Sequence, residues 1–179
     1  RAVAPPNLAR ANAPAIIFTR DFAGPRFSVF GGIDANLQPT NTLVDWSPTQ
    51  GFAGPFAFGG LAARFNHAWV GNAAGTRNLM VGGGTCAGLV IEGRIWDGFG
   101  GQTVPPPNFD FGAYRRTNTA MAWDTARDRA YILQGNVGTS NACTLPDYSV
   151  QVISGDPFTA SWQLTTNSPV PARASHAAA

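Results

Sequence analysis

Lysine is absent from the chain, and its absence removes several kinds of chemistry. All 12 basic residues among the 179 are arginine. A Walker-type phosphate loop needs its lysine and Schiff-base catalysis needs one too, so both are excluded. The formal net charge is only +2, and the arginines are scattered along the sequence. Because nucleic-acid binding needs a concentrated cationic face, we expect no nucleic-acid partner.

Long apolar runs and charge of either sign are also scarce. Charged residues make up 12% of the chain, against about 25% in an average globular protein. No apolar run approaches the length of a membrane-spanning helix, so the sequence predicts no membrane span in this chain.

Cysteine and histidine are too few for a disulfide framework or a zinc site, and we expect no metal and no cofactor. The pair Cys86 and Cys143 in a chain of low charge fits a secreted protein with one bridge. Two free thiols in the cytoplasm are the alternative. The chain starts at Arg1 instead of Met, which suggests processing or a fragment.

Glycine and proline are abundant, at 21 and 14 residues, and they separate short apolar and aromatic runs. This pattern is typical of an all-β protein. No stretch keeps a helical apolar period over two turns, so helices longer than a single turn are not expected.

An internal repeat begins with arginine followed two positions later by asparagine. The motif occurs at Arg10, Arg64 and Arg116, with Asn12, Asn66 and Asn118, and Arg173 precedes Ser175 in the same way. The spacing of about 52–57 residues is close to the roughly 50 of a kelch repeat. The sequence therefore divides into a lead-in (1–9), three repeats (10–63, 64–115 and 116–172) and the start of a fourth (173–179).

Each repeat continues with a hairpin that ends in glycine, and its strands are predicted at 13–18 and 27–30, at 67–70 and 78–81, and at 120–123 and 130–133. The glycines are Gly31-Gly32 in the first repeat, Gly82-Gly83 in the second and a single Gly135 in the third. A glycine pair fits a strand end that another backbone approaches closely, where a Cβ would clash. Two further strands complete each repeat. In the second repeat we place them within 89–96 and at 109–111, separated by a Gly/Pro-rich loop over 98–108.

These features resemble the kelch family over essentially the whole chain. The resemblance is carried by Arg64-x-x-His67, Pro171-x-Arg173-x-x-His176, the glycine pairs and Trp162 late in its repeat. It implies a β-propeller of four-stranded antiparallel blades around a channel. Closed propellers have about 4–8 blades, so this chain would form part of a ring that other blades complete, from the same or another chain.

The repeated arginines and asparagines are the first candidate binding residues. The resemblance places Arg10, Arg64, Arg116 and Arg173 near the channel mouth, where guanidinium groups could grip acidic motifs together with the asparagines. The alternative is that each arginine pairs with a carbonyl or carboxylate of the neighbouring blade and serves only packing between blades. We favour the alternative, because a position shared by every repeat is usually architectural.

Other candidate residues have weaker support. His67 and His176 occupy equivalent positions, so we interpret them as structural residues that make hydrogen bonds and not as a catalytic pair. Trp96 has no equivalent in the other repeats and is a candidate ligand contact. The glycine-rich stretch 82–88 lacks the spacing and the helix of a dinucleotide site. Cys86 and Cys143 follow the glycines of adjacent repeats, which makes a disulfide plausible.

Repeats without a catalytic constellation favour a non-enzymatic scaffold that binds a protein or glycan through loops on one face. Two alternatives remain open. The chain could be a fragment of a copper radical oxidase-like propeller, for which Tyr114, Tyr131 and Tyr148 are available. It could also be a structural component of a wall, coat or filament.

Overall fold

The computed structural model describes residues 10–19, 24–57, 60–73, 75–85, 87–90, 92–97, 101–104, 116–133, 136–137, 147–148, 151–156 and 161–167. These residues form antiparallel strands joined by turns, and no helix occurs among them. The prediction of an all-β chain built on four-stranded antiparallel sheets is confirmed. A search of these residues for a helix able to cross a membrane finds none.

The first sheet is a simple meander. Its strands are β1 (Ala15–Phe18), β2 (Arg26–Phe30), β3 (Thr42–Ser47) and β4 (Gly51–Ala57), and they pair in chain order. Apolar side chains lie on both faces of β2 and β3, so this sheet can pack other residues on either side.

The second sheet contains an excursion between its second and third strands. Strands β5 (Ala68–Gly71) and β6 (Arg77–Val81) form its first hairpin. A small hairpin of β7 (Gly84–Thr85) and β8 (Gly88–Leu89) follows, and then β9 (Gly93–Asp97) and β10 (Gly101–Val104) complete the sheet in the order β10-β9-β6-β5.

Two strand predictions in this unit need correction. Strand β10 lies inside the stretch 98–108, which we predicted to be a loop, because Gln102 and Thr103 pair with the exposed ladder edge of β9. Within the predicted region 89–96, β9 forms at Gly93–Asp97, whereas Leu89 belongs to β8 and pairs with Gly84 instead of joining the main sheet. The predicted strand 109–111 lies outside the described residues.

The third unit repeats the arrangement. It comprises β11 (Arg116–Thr117), β12 (Ala120–Asp124), β13 (Arg129–Leu133), β14 (Asn136–Val137), β15 (Asp147–Tyr148), β16 (Gln151–Asp156) and β17 (Ser161–Asn167). The main sheet has the order β12-β13-β16-β17, and β11, β14 and β15 form a small sheet beside it.

The three main sheets lie side by side with two hydrophobic layers between them. The first strands of neighbouring sheets contact each other, β1 with β5 and β5 with β12. One layer joins the first and second sheets and consists of Phe18, Phe30, Leu43, Leu61, Trp69 and Met80. The other joins the second and third sheets and consists of Ala68, Leu79, Val81, Ile95, Met121, Ala130 and Ile132.

Candidate functional site

The three asparagines of the repeat motif share an unusual backbone conformation. Asn12, Asn66 and Asn118 have φ angles of 55°, 54° and 52°. Left-handed backbone is costly for most residues with a side chain, and asparagine is among the few that tolerate it. Each asparagine lies just before the first strand of its sheet, so this conformation turns the chain into β1, β5 and β12.

A ladder of backbone hydrogen bonds connects these asparagines across the units. The Asn66 N–H donates to the Asn12 carbonyl at 2.9 Å, and the Asn118 N–H donates to the Asn66 carbonyl at the same distance. We call this feature the asparagine ladder. It crosses from unit to unit at the end of the sheets where their first strands begin.

An open depression of about 420 Å³ lies on the asparagine ladder. Asn12 is exposed there, while Asn66 and Asn118 are half-buried. The residues that line it are Asn12, Ala13, Pro14, Asn66, His67, Asn118 and Thr119. None of these side chains is charged at neutral pH, because His67 is the one that can titrate and its burial keeps it neutral. We call it the ladder depression.

Backbone bridges place the glycine pairs beside the asparagine ladder. The residue after the repeat arginine pairs with the residue after the glycines in all three units; the pairs are Ala11–Ile33, Phe65–Gly84 and Thr117–Asn136. The three repeats therefore share one local architecture at this end of the sheets.

The glycine pairs are sites of close backbone approach, as predicted. Gly31 and Gly32 have φ angles of 65° and 83°, and a Cβ on Gly31 would lie 2.6 Å from the carbonyl oxygen of Arg64. A Cβ on Gly83, at φ 86°, would lie 2.9 Å from the carbonyl oxygen of Phe65. The first pair thus receives the start of the second repeat directly against its backbone.

Arg64 lies where no ligand can reach it. Its side chain is fully buried, and Nε and Nη1 donate to the carbonyls of Ala62 and Gly82 at 3.2 and 3.1 Å. Nη2 contacts the carboxylate of Glu92. Burial lowers the pKa of Arg64 to about 10, so the group remains charged at neutral pH. Gly82 and Glu92 belong to the same repeat as Arg64, and Ala62 lies two residues before it. The burial argues against a binding role, and these contacts are not the pairing with a neighbouring blade that the alternative expected.

Arg10 has a more accessible position than Arg64. It is half-buried, and its Nη2 donates to the hydroxyl of Thr42 at 2.8 Å. It lines a second depression, of about 440 Å³, with Asp34, Thr40 and other residues of the loop between β2 and β3. The carboxylate of Asp34 accepts backbone N–H bonds within that loop and so shapes it.

His67 is buried between the first two sheets. Its ring packs edge-on against Phe30 with the centroids 5.6 Å apart. Neither ring nitrogen has a hydrogen-bond partner among the described residues. Burial, together with the nearby charge of Arg64, holds the pKa of His67 well below its ordinary value. The imidazole is therefore neutral. The lack of a partner for either nitrogen among the described residues argues against the structural hydrogen bond that we expected from the sequence.

The remaining predicted residues are less fully described. The backbone of Arg116 pairs with Val137. In the second sheet the backbone of Trp96 pairs with Asn78 and with Gly101. The side chains of Arg116 and Trp96 are not among the parts that the structure describes. The other predicted residues lie outside the described residues altogether, and their roles stay predictions; they are Arg173, His176, Cys86 and Cys143.

Sequence reasoning missed several residues of this region. Thr119 lines the ladder depression directly after Asn118, and Glu92 holds the guanidinium of Arg64. Position next to a repeated motif could have indicated Thr119, whereas nothing in the spacing points to Glu92. The described part of the chain contains no group of three or more metal-ligating side chains.

The chain matches no protein-family model and no curated protein. It is similar to the solved structure of YjhT, with a TM-score of 0.69 and 12% sequence identity. The similarity covers 93% of this chain but only 58% of that one, so the chain spans less than two thirds of YjhT. At this identity the likeness concerns the fold alone.

Proposed function

We propose that the three units are blades of a kelch-like β-propeller, and that this scaffold binds a protein or glycan partner without catalysis. The partner would contact the loops at the end of the sheets that carries the asparagine ladder. The observation that carries the proposal is that equivalent asparagines of three repeats meet around one open depression.

The architecture supports the first half of this proposal. Four-stranded meanders whose first strands adjoin one another fit blades arranged around an axis. Such a ring needs further blades from the same or another chain, which agrees with the shorter span of this chain relative to YjhT. A secreted location and a bridge between Cys86 and Cys143 belong to the same proposal.

The chemistry of the ladder depression supports the second half. Side-chain amides offer two donors and an acceptor with two lone pairs, which match sugar hydroxyls and peptide amides. Arg64 is buried and bonded, so it supplies no cation to this surface. We therefore expect an uncharged part of the partner to occupy the depression, and Arg10 to meet any acidic group beside it.

Asparagine-to-glycine substitutions test the site with little strain, since glycine also adopts left-handed backbone. We would screen the chain against arrays of neutral and acidic glycans and a displayed peptide library, and measure the best ligand by calorimetry. In the double variant Asn66→Gly, Asn118→Gly, the affinity should fall about fivefold or more, because two hydrogen bonds contribute about 0.5–1.5 kcal/mol each.

Asn36→Gly is the matched control, since Asn36 lines the second depression and not the ladder depression. It should keep the affinity of the unchanged chain, and thermal unfolding would verify that all variants fold. Absence of saturable binding to every arrayed glycan and peptide, or equal affinity in the double variant, would refute the proposed site.

A further inference from the structure

The side-chain amides of the asparagine ladder are polar groups that the described fold does not use. Asn12, Asn66 and Asn118 bond to one another through their backbones, and none of their side chains makes a hydrogen bond to another described residue. Other asparagines behave differently. The side chain of Asn72 accepts two backbone N–H groups of its turn at 3.0 and 3.2 Å, and that of Asn78 accepts a tryptophan N–H at 2.8 Å. The three ladder amides are therefore available to a ligand.

The left-handed backbone at these positions does not require an amide side chain. Glycine adopts such a backbone more readily than asparagine does. This chain uses glycine for positive φ even where a side chain would have room, as at Gly24 and Gly51. Asparagine nevertheless occupies all three positions of the ladder. The backbone conformation thus explains a residue that tolerates positive φ, but it does not explain the amides.

The ladder sets the distance between successive amides. Backbones joined by N–H···O=C hydrogen bonds lie about 4.7–4.9 Å apart, and each step of the ladder is one such bond of 2.9 Å. Because the three asparagines have nearly the same φ, at 55°, 54° and 52°, we expect their side chains to leave the backbone in similar directions. The ladder depression therefore presents a row of three amides that repeats at one backbone separation.

An extended peptide does not match this row. Its backbone rises about 3.2–3.4 Å per residue and its side chains alternate between two faces, so groups on one face repeat at about 6.4–6.8 Å. Such a peptide can meet one or two of the amides but falls out of step with the third. The row favours a ligand whose polar groups repeat over a shorter distance.

A linear glycan has a repeat of suitable length, because a pyranose ring with its glycosidic oxygen advances by nearly one backbone separation. The hydroxyl groups of each sugar both donate and accept hydrogen bonds, as a side-chain amide does. The lining residues carry no charge at neutral pH and so offer no counter-ion to an ionised sugar. We propose that the ladder depression binds a linear, neutral glycan with one sugar unit on each asparagine.

This inference rests on the proposed function and narrows it to one class of ligand. The described row contains three amides, so a trisaccharide can pair with all of them, while a disaccharide can pair with two. Affinity should therefore depend on the length of the glycan. A site that holds a single sugar would not produce this dependence.

Calorimetric titration with oligosaccharides of increasing length tests the inference. The probes are cello-oligosaccharides, N-acetylated chito-oligosaccharides and malto-oligosaccharides, each as the disaccharide and the trisaccharide. At least one series should bind, and its trisaccharide should bind about two- to tenfold more tightly than its disaccharide, since it makes one additional hydrogen bond.

The variant Asn118→Gly distinguishes a sugar subsite from a structural role. It removes the amide at one end of the row and keeps Asn12 and Asn66. The affinity for the trisaccharide should therefore fall to that for the disaccharide, while the affinity for the disaccharide should stay the same within error. Asn36→Gly is the matched control and should change neither affinity, because Asn36 lines the second depression. Thermal unfolding would verify that both variants fold.

Failure of this inference is distinguishable from failure of the proposed function. Binding of none of the three series would overturn the inference, and so would equal affinities for the two lengths or equal losses for both in Asn118→Gly. A peptide from the displayed library that loses affinity in the double variant Asn66→Gly, Asn118→Gly would overturn it as well, but would leave the proposed binding site in place. Absence of any glycan or peptide ligand would refute both proposals.

Discussion

At the scale of single residues, the surroundings of His67 could not be predicted from its position in the repeat. The sequence marks His67 only as equivalent to His176, and a repeated polar residue predicts a hydrogen bond. The structure instead places its ring against Phe30 and without a hydrogen-bond partner among the described residues. A buried imidazole of this kind is tolerated when it is neutral, because burial penalises the charged form.

This position predicts that the protein loses stability in mild acid. The pKa of folded His67 lies well below its ordinary value of 6.5, so the unfolded state holds more protons once the pH falls below 6.5. Stability is then present above pH 6.5 and declines below it, by up to about 1.4 kcal/mol per pH unit for one group. Urea unfolding between pH 7.5 and pH 5 would measure the slope.

His67→Gln is the comparison for this prediction, since it removes the titrating group and keeps a polar side chain. Carboxylates contribute equally to both proteins, so the difference between their slopes isolates His67. Equal slopes for the two proteins would show that His67 does not titrate in this range when the chain unfolds.

Arginine positions show both the strength and the limit of residue-level reasoning. The spacing of Arg10, Arg64 and Arg116 located the repeats, but the buried Arg64 binds the carbonyls of Ala62 and Gly82 and not a neighbouring blade. Burial cannot be read from the motif, however. Arg10 and Arg64 occupy equivalent positions of the repeat but differ in exposure, and Glu92, which contacts Arg64, lies at a position that the motif does not indicate.

At the scale of elements, glycines with positive φ are not interchangeable. Gly31 and Gly51 have similar φ angles of 65° and 70°. A Cβ on Gly31 would meet the Arg64 carbonyl at 2.6 Å, whereas one on Gly51 would meet nothing within 4 Å. Only the first of these glycines is required by the contact between units.

We therefore expect Gly31→Ala to destabilise the protein more than Gly51→Ala. Left-handed backbone costs about 1–2 kcal/mol in either variant, and the overpacked contact adds about 1–3 kcal/mol at Gly31. Chemical denaturation of the two variants measures the difference directly. Losses of equal size would mean that the loop at Gly31 moves away from Arg64 at no cost.

Strand prediction succeeded where apolar runs alternate with turns and failed where composition was misleading. The first hairpins of all three units were predicted to within a few residues, because apolar runs bounded by glycine and asparagine leave few other options. Strand β10 was missed, since its glycine-rich surroundings suggest a loop. Its ladder depends on pairing with β9, a contact between segments that composition does not encode.

At the scale of the whole molecule, the described parts of neighbouring sheets pack against each other through separate layers. Phe30 belongs to the layer between the first and second sheets, and Leu79 to the layer between the second and third. The sequence predicts both residues as strand core but does not say which sheet each one faces. Which sheet a side chain faces follows from the register of strand pairing. A shift of one residue would move every side chain of the strand to the opposite face.

Nearest-neighbour packing predicts that damage to one layer stays local. Alanine in place of a buried Phe or Leu costs about 2–5 kcal/mol, and in stacked repeats that cost falls on the units which share the interface. Phe30→Ala should therefore accelerate amide hydrogen exchange in β2 and β3 more than in β12 and β13. Leu79→Ala should do the reverse, because its layer includes Met121 and Ile132.

Mass spectrometry of peptides from the first and third sheets compares the two patterns of exchange. Uniform acceleration in both variants would mean that the asparagine ladder and the layers make the three sheets one cooperative unit, in which the side-by-side sheets cannot open separately.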